Sequence, residues 1–380
     1  MKKWGKDTVM IGAFVLLIGG MALANLLHPD SDFSVSENRA LRTFPDHGAK
    51  AVFSGRFGSD FDAYVSDQFI GRDAWVGTKT LTQLLLVKKD NGRVYFGRGG
   101  TLFEKDDAVD DTRFQKNIDA VRAFLEKLEA ERPEVTRCVL MAPTAAAVTP
   151  ERLPAFAPVA PQEEMLQTLE KSLSSTAVFC NPLESLRREA GMPLYYRTDH
   201  HWTTAGAYTA YTAWAEAMGL SAMPMGTITV ETVSDSFLGT LYSKANQPFL
   251  KPDTIERYRL PGDAACTRSS DGGKTVIPSL YDPEALNQKD QYVYFLGGNQ
   301  PLVEIRTGTE NGRTLLLLKD SYAHAFVPFL TAHYEKIVMV DLRYYKAELS
   351  TLMEGEQVTD LLFLYNVTNF AGDKVLASML

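Results

Sequence analysis

The chain of 380 residues is long enough for one large domain or two modest ones, and its 45% hydrophobic and 23% charged residues are ordinary for a globular protein. The formal net charge of -8 leaves no basic excess to neutralise phosphates, which argues against nucleic acid as a partner. Three cysteines cannot all pair with one another, no CxxC motif occurs, and only six histidines are present, so neither a disulfide framework nor a zinc site is expected. Buried thiols are the simplest interpretation, with a single Cys138–Cys180 bridge as the alternative.

An apolar segment close to the N-terminus is the first landmark along the chain. Residues 9–27 carry no charge and, as a helix, would span roughly 28 Å, close to the thickness of the hydrocarbon core of a bilayer. Three lysines precede the segment, so the positive-inside rule places residues 1–8 in the cytoplasm and the rest of the chain outside. A cleaved signal peptide is the alternative, because residues 22–24 (Ala-Leu-Ala) resemble a cleavage site. Both interpretations predict an extracytoplasmic protein, and a buried core helix is disfavoured because the segment is hydrophobic on all sides.

The remainder of the chain is predicted to form a tether followed by one large domain. Residues 28–50 are polar and irregular and are interpreted as the tether, and the domain is expected to cover residues 51–380. Helical periodicity extends to about residue 88, and a hairpin is predicted around the turn at 98–100. From about residue 110, strand-like runs alternate with helical ones, which favours an α/β fold with a mostly parallel sheet flanked by helices. Residues 220–290 carry Gly, Pro and Ser and are expected to form an irregular insertion that helps to roof a site.

A serine follows a fully apolar strand-like run in the last quarter of the chain. Residues 314–318 precede Lys319-Asp320-Ser321, and a helical segment comes next. Ligands of open α/β sheets bind at the carboxyl ends of the strands, so the Ser321 hydroxyl is expected at the mouth of a site. Backbone N–H groups of the first helical turn would face negative charge that develops there. Taken alone, the segment fits a helix cap at Asp320 or Ser321 as well as a nucleophile.

A second polar segment supplies the groups that such a serine needs. Asp199, His200, His201 and Trp202 stand in a row at a predicted loop-to-helix junction. An activated serine requires a base, and the base requires a group that fixes its tautomer. Because Asp199 and His201 are two positions apart, an extended loop would turn them to the same side. The alternatives are histidines beside a helix cap, or metal ligation by Asp199, His200 and His201; no completing ligand stands out, so neither a metal nor another cofactor is expected.

Together, the two segments resemble the DHHW family of bacterial surface proteins, which is similar to the SGNH-hydrolase-like proteins that O-acetylate alginate and other extracellular polysaccharides. The resemblance covers most of the chain after the N-terminal segment. It includes weaker features at Glu37-Asn38-Arg39, Phe44-Pro45, Asp67-Gln68-Phe69 with Arg72, Ala142-Pro143 and residues 237–241. It implies an SGNH-hydrolase-like fold in which Asp-x-His precedes Ser, an order that looks like a circular permutation. Lys319 stands where the wider family has Gly, so the oxyanion geometry is expected to differ.

The resemblance also implies roles for individual residues. Ser321 is the expected nucleophile, His201 the general base and Asp199 the residue that orients the base. Asn366, which follows the third strand counted from Ser321, is expected to form the oxyanion hole with the backbone N–H of Ser321; a cap by Asn366 is the alternative. Further candidates for substrate contact, against roles in the core or in a salt bridge, are Trp202, Tyr322 and Arg343.

These assignments predict a surface enzyme that handles acyl esters, either an O-acetyltransferase or an O-acetylesterase, acting on an extracellular or cell-wall polysaccharide. The expected partners are the polysaccharide, the membrane through the N-terminal helix and, by family analogy, a membrane protein that donates the acyl group. A non-catalytic polysaccharide-binding or scaffold protein is the alternative, because fold does not imply function. A lipase is disfavoured because Ser321 lacks a Gly-x-Ser-x-Gly elbow around it.

Overall fold

The computed structural model describes residues 5–34, 36–106 and 108–379, which divide into two compact units. The first unit comprises the described residues up to Lys88 together with Asn246–Phe249, and the second comprises the rest. This division groups residues 51–88 with the N-terminal helix, whereas the sequence analysis placed them in the domain that begins at residue 51. Residues 1–4 of the predicted cytoplasmic tip lie outside the described residues, and the predicted domain boundaries stay a prediction.

The first unit begins with the apolar helix and continues with short elements. They are α1 (Lys6–Leu27), β1 (Phe33–Ser34), β2 (Arg39–Ala40), α2 (Ala49–Phe53), α3 (Arg56–Asp67) and α4 (Arg72–Leu85). Helix α1 is long and apolar enough to cross a membrane, and none of its side chains is buried. Its length and position fit either a membrane anchor or a signal sequence.

An ion-pair cluster ties β2 to α3 and α4 within the first unit. The Arg39 guanidinium pairs with Asp67 at 2.5 Å and with Glu37 at 2.6 Å, and Arg72 reaches Glu37 at 2.8 Å. These residues come from two of the short segments on which the family resemblance rests. Their side chains form one cluster of ion pairs, so those segments hold parts of this unit together.

The second unit contains the alternation of strands and helices that the sequence predicts. Its first half comprises β3 (Val94–Phe96), β4 (Leu102–Glu104), α5 (Asp111–Glu131), β5 (Thr136–Ala142), α6 (Ala145–Val148), α7 (Gln162–Leu173), β6 (Val178–Cys180), α8 (Leu183–Arg188), α9 (Thr204–Ala217), β7 (Thr229–Phe237) and α10 (Thr240–Ala245). Its second half comprises β8 (Asp253–Arg259), β9 (Thr267–Ser269), β10 (Leu302–Arg306), β11 (Thr314–Lys319), α11 (Ala323–Leu330), β12 (Lys336–Val340), α12 (Leu349–Gly355), β13 (Asp360–Asn366), α13 (Val367–Gly372) and α14 (Leu376–Met379).

A seven-stranded sheet, counted over the described residues, forms the centre of the second unit in the order β6-β5-β13-β11-β12-β10-β9. The five strands from β6 to β12 are parallel, whereas β10 and β9 run antiparallel to their neighbours. Leu315–Leu318 are buried, as expected for a parallel strand that is covered on both faces. The mixed α/β fold with a mostly parallel sheet is therefore confirmed, and the two antiparallel edge strands are an addition that the sequence did not reveal.

Residues 220–290 are more regular than the sequence analysis expected. Strands β7 and β8 form an antiparallel ribbon whose register shifts after Thr232 and again after Ser234. Helix α10 lies in the connection between them and begins directly after Gly239. Strand β7 mixes Thr, Val, Ser and acidic residues without a strict apolar/polar alternation, so its pattern resembles a loop more than a half-buried strand.

The carboxyl ends of the central parallel strands meet at one edge of the sheet. Strand β11 ends at Lys319, β13 ends at Asn366 and β5 ends at Ala142, and the ladders pair Lys319 with Leu364 and Asn366 with Ala142. Ser321 therefore emerges beside the ends of β13 and β5, at the edge where ligands of open α/β sheets bind.

Candidate active site

Asp320 fixes the turn that presents Ser321 after β11. Its carboxylate accepts hydrogen bonds from the backbone N–H of Tyr322 at 2.9 Å, the backbone N–H of Asn366 at 2.9 Å and the side-chain amide of Asn369 at 2.8 Å. Burial raises the pKa of Asp320, although these hydrogen bonds act in the opposite direction. The turn is thereby tied to the end of β13 and to α13, so Asp320 supports the neighbouring serine.

The structure brings Ser321, His201 and Asp199 together in a hydrogen-bonded chain. His201 Nε2 lies 2.7 Å from Ser321 Oγ, and His201 Nδ1 lies 2.6 Å from Asp199 Oδ1. A carboxylate can only accept, so Nδ1 carries the proton and Nε2 is left as the acceptor for the Ser321 hydroxyl. Ser and His are 120 positions apart in sequence, and their meeting depends on the tertiary fold.

The loop that carries Asp199 and His201 is held at both ends. Tyr195 forms an isolated antiparallel bridge with Trp202, and the Thr203 side chain caps α9 by accepting from the N–H of Gly206. A Cβ on Gly206 would lie 2.1 Å from the carbonyl oxygen of Leu194, so this close approach requires glycine. The tight loop and the cap set the direction in which the His201 side chain leaves the backbone.

Asp199 is buried and receives a second set of hydrogen bonds from α10. Its Oδ2 accepts from the backbone N–H of Thr240 at 2.8 Å and from the Thr240 hydroxyl at 3.0 Å. Burial alone would raise the pKa of Asp199, but the neighbouring His200 and His201 and these hydrogen bonds outweigh it and lower the pKa. The carboxylate is therefore held in its charged form, which suits a group that orients an imidazole.

Two rings sandwich the His201 imidazole. Tyr292 stacks on it with ring centroids 3.8 Å apart and an interplanar angle of 9°, and His200 lies at 3.9 Å on a 37° tilt. Neither partner was assigned a site role from the sequence, and Tyr292 comes from the short 3₁₀ segment Gln291–Tyr294. An aromatic run at 292–295 gave no signal beyond that of ordinary core residues. Thr240 could have been identified from the sequence, because it belongs to the segment 237–241 that contributes to the family resemblance.

His200 belongs to the wall of a cavity beside the chain of three residues. Its Nδ1 lies 2.7 Å from the Thr240 hydroxyl, and burial together with the neighbouring His201 lowers its pKa to about 4. The cavity encloses about 500 Å³, including the part that is open to solvent. Its polar lining residues are Glu104, Asp106, Thr144, Gln162, Asp199, His200, Tyr322, Asn366, Thr368 and Asn369.

Asn366 lines this cavity, but its side-chain amide already forms hydrogen bonds through both its oxygen and its nitrogen. The side-chain oxygen caps α13 by accepting from the N–H groups of Thr368 and Asn369, and Nδ2 donates to the carbonyl of Ala142 at 3.3 Å. The cap that the sequence analysis held as an alternative is therefore present. The described contacts use one of the two Nδ2 hydrogens, so the role of Asn366 in an oxyanion hole stays a prediction.

The three candidates for substrate contact occupy different places. Trp202 is fully buried and its indole N–H donates to the carbonyl of Tyr322 at 2.9 Å, so this side chain is a core residue and the suggested substrate contact is dropped. Tyr322 lines the cavity and its hydroxyl donates to the carbonyl of His200. Arg343 pairs with Asp341 at 2.7 Å and does not line this cavity, in keeping with a salt-bridge role.

Lys319, which stands where the wider family has glycine, is buried beneath the turn. Its ammonium contacts Asp341 at 3.1 Å, His324 Nε2 at 2.9 Å and the side-chain oxygen of Asn299 at 3.2 Å. Burial lowers the pKa of Lys319, and Asp341 acts against that change. The ammonium thus links the ends of β11 and β12 to the first turn of α11.

Asp199, His200 and His201 also offer three ligand atoms within 4.8 Å of one another, a spacing that a metal ion could use. The described contacts already engage both Asp199 oxygens and the Nδ1 atoms of the two histidines, because Asp199 Oδ1 bonds His201 Nδ1 and Thr240 bonds both Asp199 Oδ2 and His200 Nδ1. The donor set therefore fits an internal hydrogen-bond network better than a metal centre.

Comparisons with known proteins relate the part of the chain that carries this site to a known family. The model of the family described as "DHHW protein" matches residues 161–340, which include the whole Asp199–Trp202 segment and Ser321. A DHHW family protein from Eubacterium siraeum, solved as a crystal structure, shares 24% identity and a TM-score of 0.63 over 75% of this chain and 97% of its own. Bacillus cereus PatB1, solved with a sulfonyl adduct, shares 19% identity and a TM-score of 0.61 over 74% of this chain and 97% of its own.

The O-acetyltransferase domain of Pseudomonas putida AlgJ is a more remote likeness, with 15% identity and a TM-score of 0.49 over 75% of this chain and 95% of its own. No curated protein matches the chain. The solved structures show that the fold is shared, and the family model covers the segments that carry the candidate site. The match at residues 161–340 shows that this part of the chain, which carries the candidate site, is similar to the DHHW family.

Proposed function

We propose that this protein is a cell-surface acyl-ester enzyme with an SGNH-hydrolase-like site, in which Ser321 is the nucleophile, His201 the general base and Asp199 the group that orients it. The observation that carries the proposal is the unbroken chain from Asp199 Oδ1 through His201 to Ser321 Oγ, with links of 2.6 Å and 2.7 Å. Both distances are within hydrogen-bond reach, as nucleophilic catalysis by serine requires.

The proposed reaction has two acyl-transfer steps. In the first, His201 Nε2 takes the proton of Ser321 while Oγ attacks the carbonyl carbon of an acetyl ester, and the donor alcohol leaves with that proton. In the second, an acceptor hydroxyl attacks the acetyl-serine, its proton passes to His201 Nε2, and Ser321 Oγ leaves and is reprotonated. A sugar hydroxyl as acceptor makes the protein a transferase, and water makes it an esterase.

The developing oxyanion needs donors near Ser321, each of which typically contributes about 3 kcal/mol to the transition state. The proposed donors are the backbone N–H of Ser321 and Asn366 Nδ2. Support comes from the position of Asn366 at the end of β13, next to β11, and from the cap that fixes the orientation of its amide. The order Asp-x-His before Ser is the basis for proposing that the SGNH arrangement is circularly permuted here.

The proposed substrate is an extracellular or cell-wall polysaccharide. The family resemblance supports acetyl as the acyl group, and the apolar helix α1 supports a location at the outer side of a membrane, as an anchored protein or after signal cleavage. A membrane protein that donates the acyl group is the proposed partner, by the same resemblance. Nucleic acid is not proposed, because the net charge is -8.

Hydrolysis of a small chromogenic acetyl ester tests the proposal. Wild-type protein is expected to turn the ester over, and Ser321→Ala and His201→Ala are each expected to lower kcat by at least about a thousandfold. Arg343→Ala is the matched control at the same sheet edge, outside the cavity, and is expected to retain activity. An inactive wild type, or full activity in Ser321→Ala, would instead favour a non-catalytic polysaccharide-binding or scaffold role.

A further inference from the structure

The wall of the cavity beside the candidate site combines apolar side chains with carboxylates and neutral polar groups. Ionisable side chains at its wall are the carboxylic acids Glu104, Asp106 and Asp199 and the imidazole of His200. Of the described residues that line it, none is Lys or Arg. Lys244 approaches from outside the lining and pairs with Glu104, which leaves Asp106 as the acid without such a partner in the described ion pairs.

The hydrogen-bond pattern fixes the tautomer of His200. The Thr240 hydroxyl donates its only hydrogen to Asp199 Oδ2, so it must accept from His200 Nδ1, 2.7 Å away. A neutral imidazole with its proton on Nδ1 has a lone pair on Nε2. None of the described residues donates a hydrogen bond to Nε2, so this atom is available to accept one from a ligand.

Asp106 adds a second acceptor to the same wall. Burial and the nearby Glu104 raise the pKa of Asp106, which indicates that this site disfavours further negative charge. A ligand that carries a carboxylate or phosphate would meet Asp106 without a free cation to offset the repulsion, because Lys244 is already paired with Glu104. A ligand rich in hydroxyl groups would instead donate to His200 Nε2 and to the Asp106 carboxylate.

We infer that this cavity is the acceptor subsite of the proposed transferase, and that it takes uncharged sugars and rejects sugars that bear carboxylate or phosphate groups. The inference rests on the proposed function, since it names the acceptor of the second acyl-transfer step. The acceptor hydroxyl attacks the acetyl carbon on Ser321, and its proton goes to His201 Nε2. His200 is a positioning residue that holds the sugar by accepting from a neighbouring hydroxyl.

An acceptor competition tests the inference on the full chain in detergent. A chromogenic acetyl ester serves as donor, and equal concentrations of an N-acetylglucosamine tetrasaccharide and a galacturonate tetrasaccharide serve as acceptors, with acetylated products quantified by mass spectrometry. The neutral sugar is expected to be acetylated at least about tenfold more, the ratio that a difference of roughly 1.4 kcal/mol gives. In Glu104→Gln/Asp106→Asn the ratio is expected to fall towards one, and in the exposed control Glu216→Gln it is expected to stay.

A pair of substitutions at His200 gives a second readout. His200→Gln keeps a side-chain acceptor and is expected to keep a lower acceptor KM than the apolar His200→Leu, with a difference of about tenfold. Equal use of the two sugars, a ratio unchanged in the double variant, or ester hydrolysis without acetylation of either sugar would overturn the inference. Absence of ester hydrolysis in the wild type would instead remove the proposed function itself, so the two failures are distinguishable.

Discussion

Asp199 connects three parts of the site through its two carboxylate oxygens. One oxygen holds the His201 ring and the other holds Thr240, which in turn accepts from His200. The two adjacent histidines of the DHHW segment therefore have different surroundings, because His201 faces Ser321 and His200 faces the cavity. A single buried carboxylate thus organises both the proposed base and the proposed acceptor wall.

The lowered pKa of His200 predicts a dependence of stability on pH. In the unfolded chain this histidine takes up a proton near its ordinary pKa of 6.5, whereas in the folded chain it does so only at about 4. Between these two pKa values the unfolded state binds more protons than the folded state. The free energy of unfolding therefore rises with pH and falls on acidification. His200→Gln is expected to reduce this slope, as measured by urea unfolding across that range. An identical slope in the variant would contradict the assignment of a buried, neutral His200.

At the scale of elements, the junction of β7 and α10 delivers Thr240 to Asp199. Gly239 makes this approach possible, because a Cβ at that position would lie 2.3 Å from both Cβ and Oδ2 of Asp199. No L side chain fits such a distance without a shift of the carboxylate. The connection between β7 and β8, within the region that was expected to be an irregular insertion, therefore holds the buried acid of the site.

Gly239→Ala is expected to displace Asp199 and to disturb its hydrogen bonds to His201 and Thr240. The expected cost is about 1–3 kcal/mol in the free energy of unfolding, together with a loss of most ester hydrolysis. Urea denaturation and the chromogenic ester assay measure the two effects. Gly226→Ala is the matched control, since a Cβ there meets nothing within 4 Å, and equal behaviour of the two variants would contradict the role of Gly239.

The buried cluster under the Ser321 turn joins β11, β12 and α11 by charge. Asp341→Asn leaves the buried Lys319 ammonium and Arg343 without their carboxylate, and is expected to destabilise the fold by about 3–5 kcal/mol. Lys319→Met leaves Asp341 paired with Arg343 and is expected to cost less. Asp119→Asn on the exposed face of α5 is the control, with an expected change within about 0.5 kcal/mol. Urea denaturation ranks the three variants, and a cost for Lys319→Met above that of Asp341→Asn would refute this account.

At the scale of the whole molecule, the apolar helix α1 can act either as an uncleaved membrane anchor or as a cleaved signal peptide. An anchor predicts that the full chain remains in the membrane fraction after alkaline carbonate treatment and that deletion of residues 6–27 releases it. Mass spectrometry of the N-terminus decides the same question independently. A mature chain that begins after Ala24 would contradict the anchor and support a cleaved signal peptide.

Part of the fold and of the candidate site could be predicted from the sequence, and the rest could not, for physical reasons. Ser321 could be placed at the sheet edge because an apolar strand-like run ends just before it. The Asp199–His201 pair could be joined to it through the chemistry of serine activation and the family resemblance. Tyr292 could not be found, because its stacking on His201 depends on packing between segments about ninety positions apart in sequence. Strand β10, between β12 and the edge strand β9, was missed because five residues after a long irregular stretch give little periodicity.

The central claim is that Ser321 becomes acylated with the help of His201. The most direct measurement mixes the full chain with an acetyl ester, quenches the reaction in acid within the first turnovers and maps the peptides by mass spectrometry. The account predicts one acetyl group on the peptide that contains Ser321 in the wild type, and none in Ser321→Ala or His201→Ala. Ester turnover without acetylation of Ser321, or acetylation at a different residue, would contradict it.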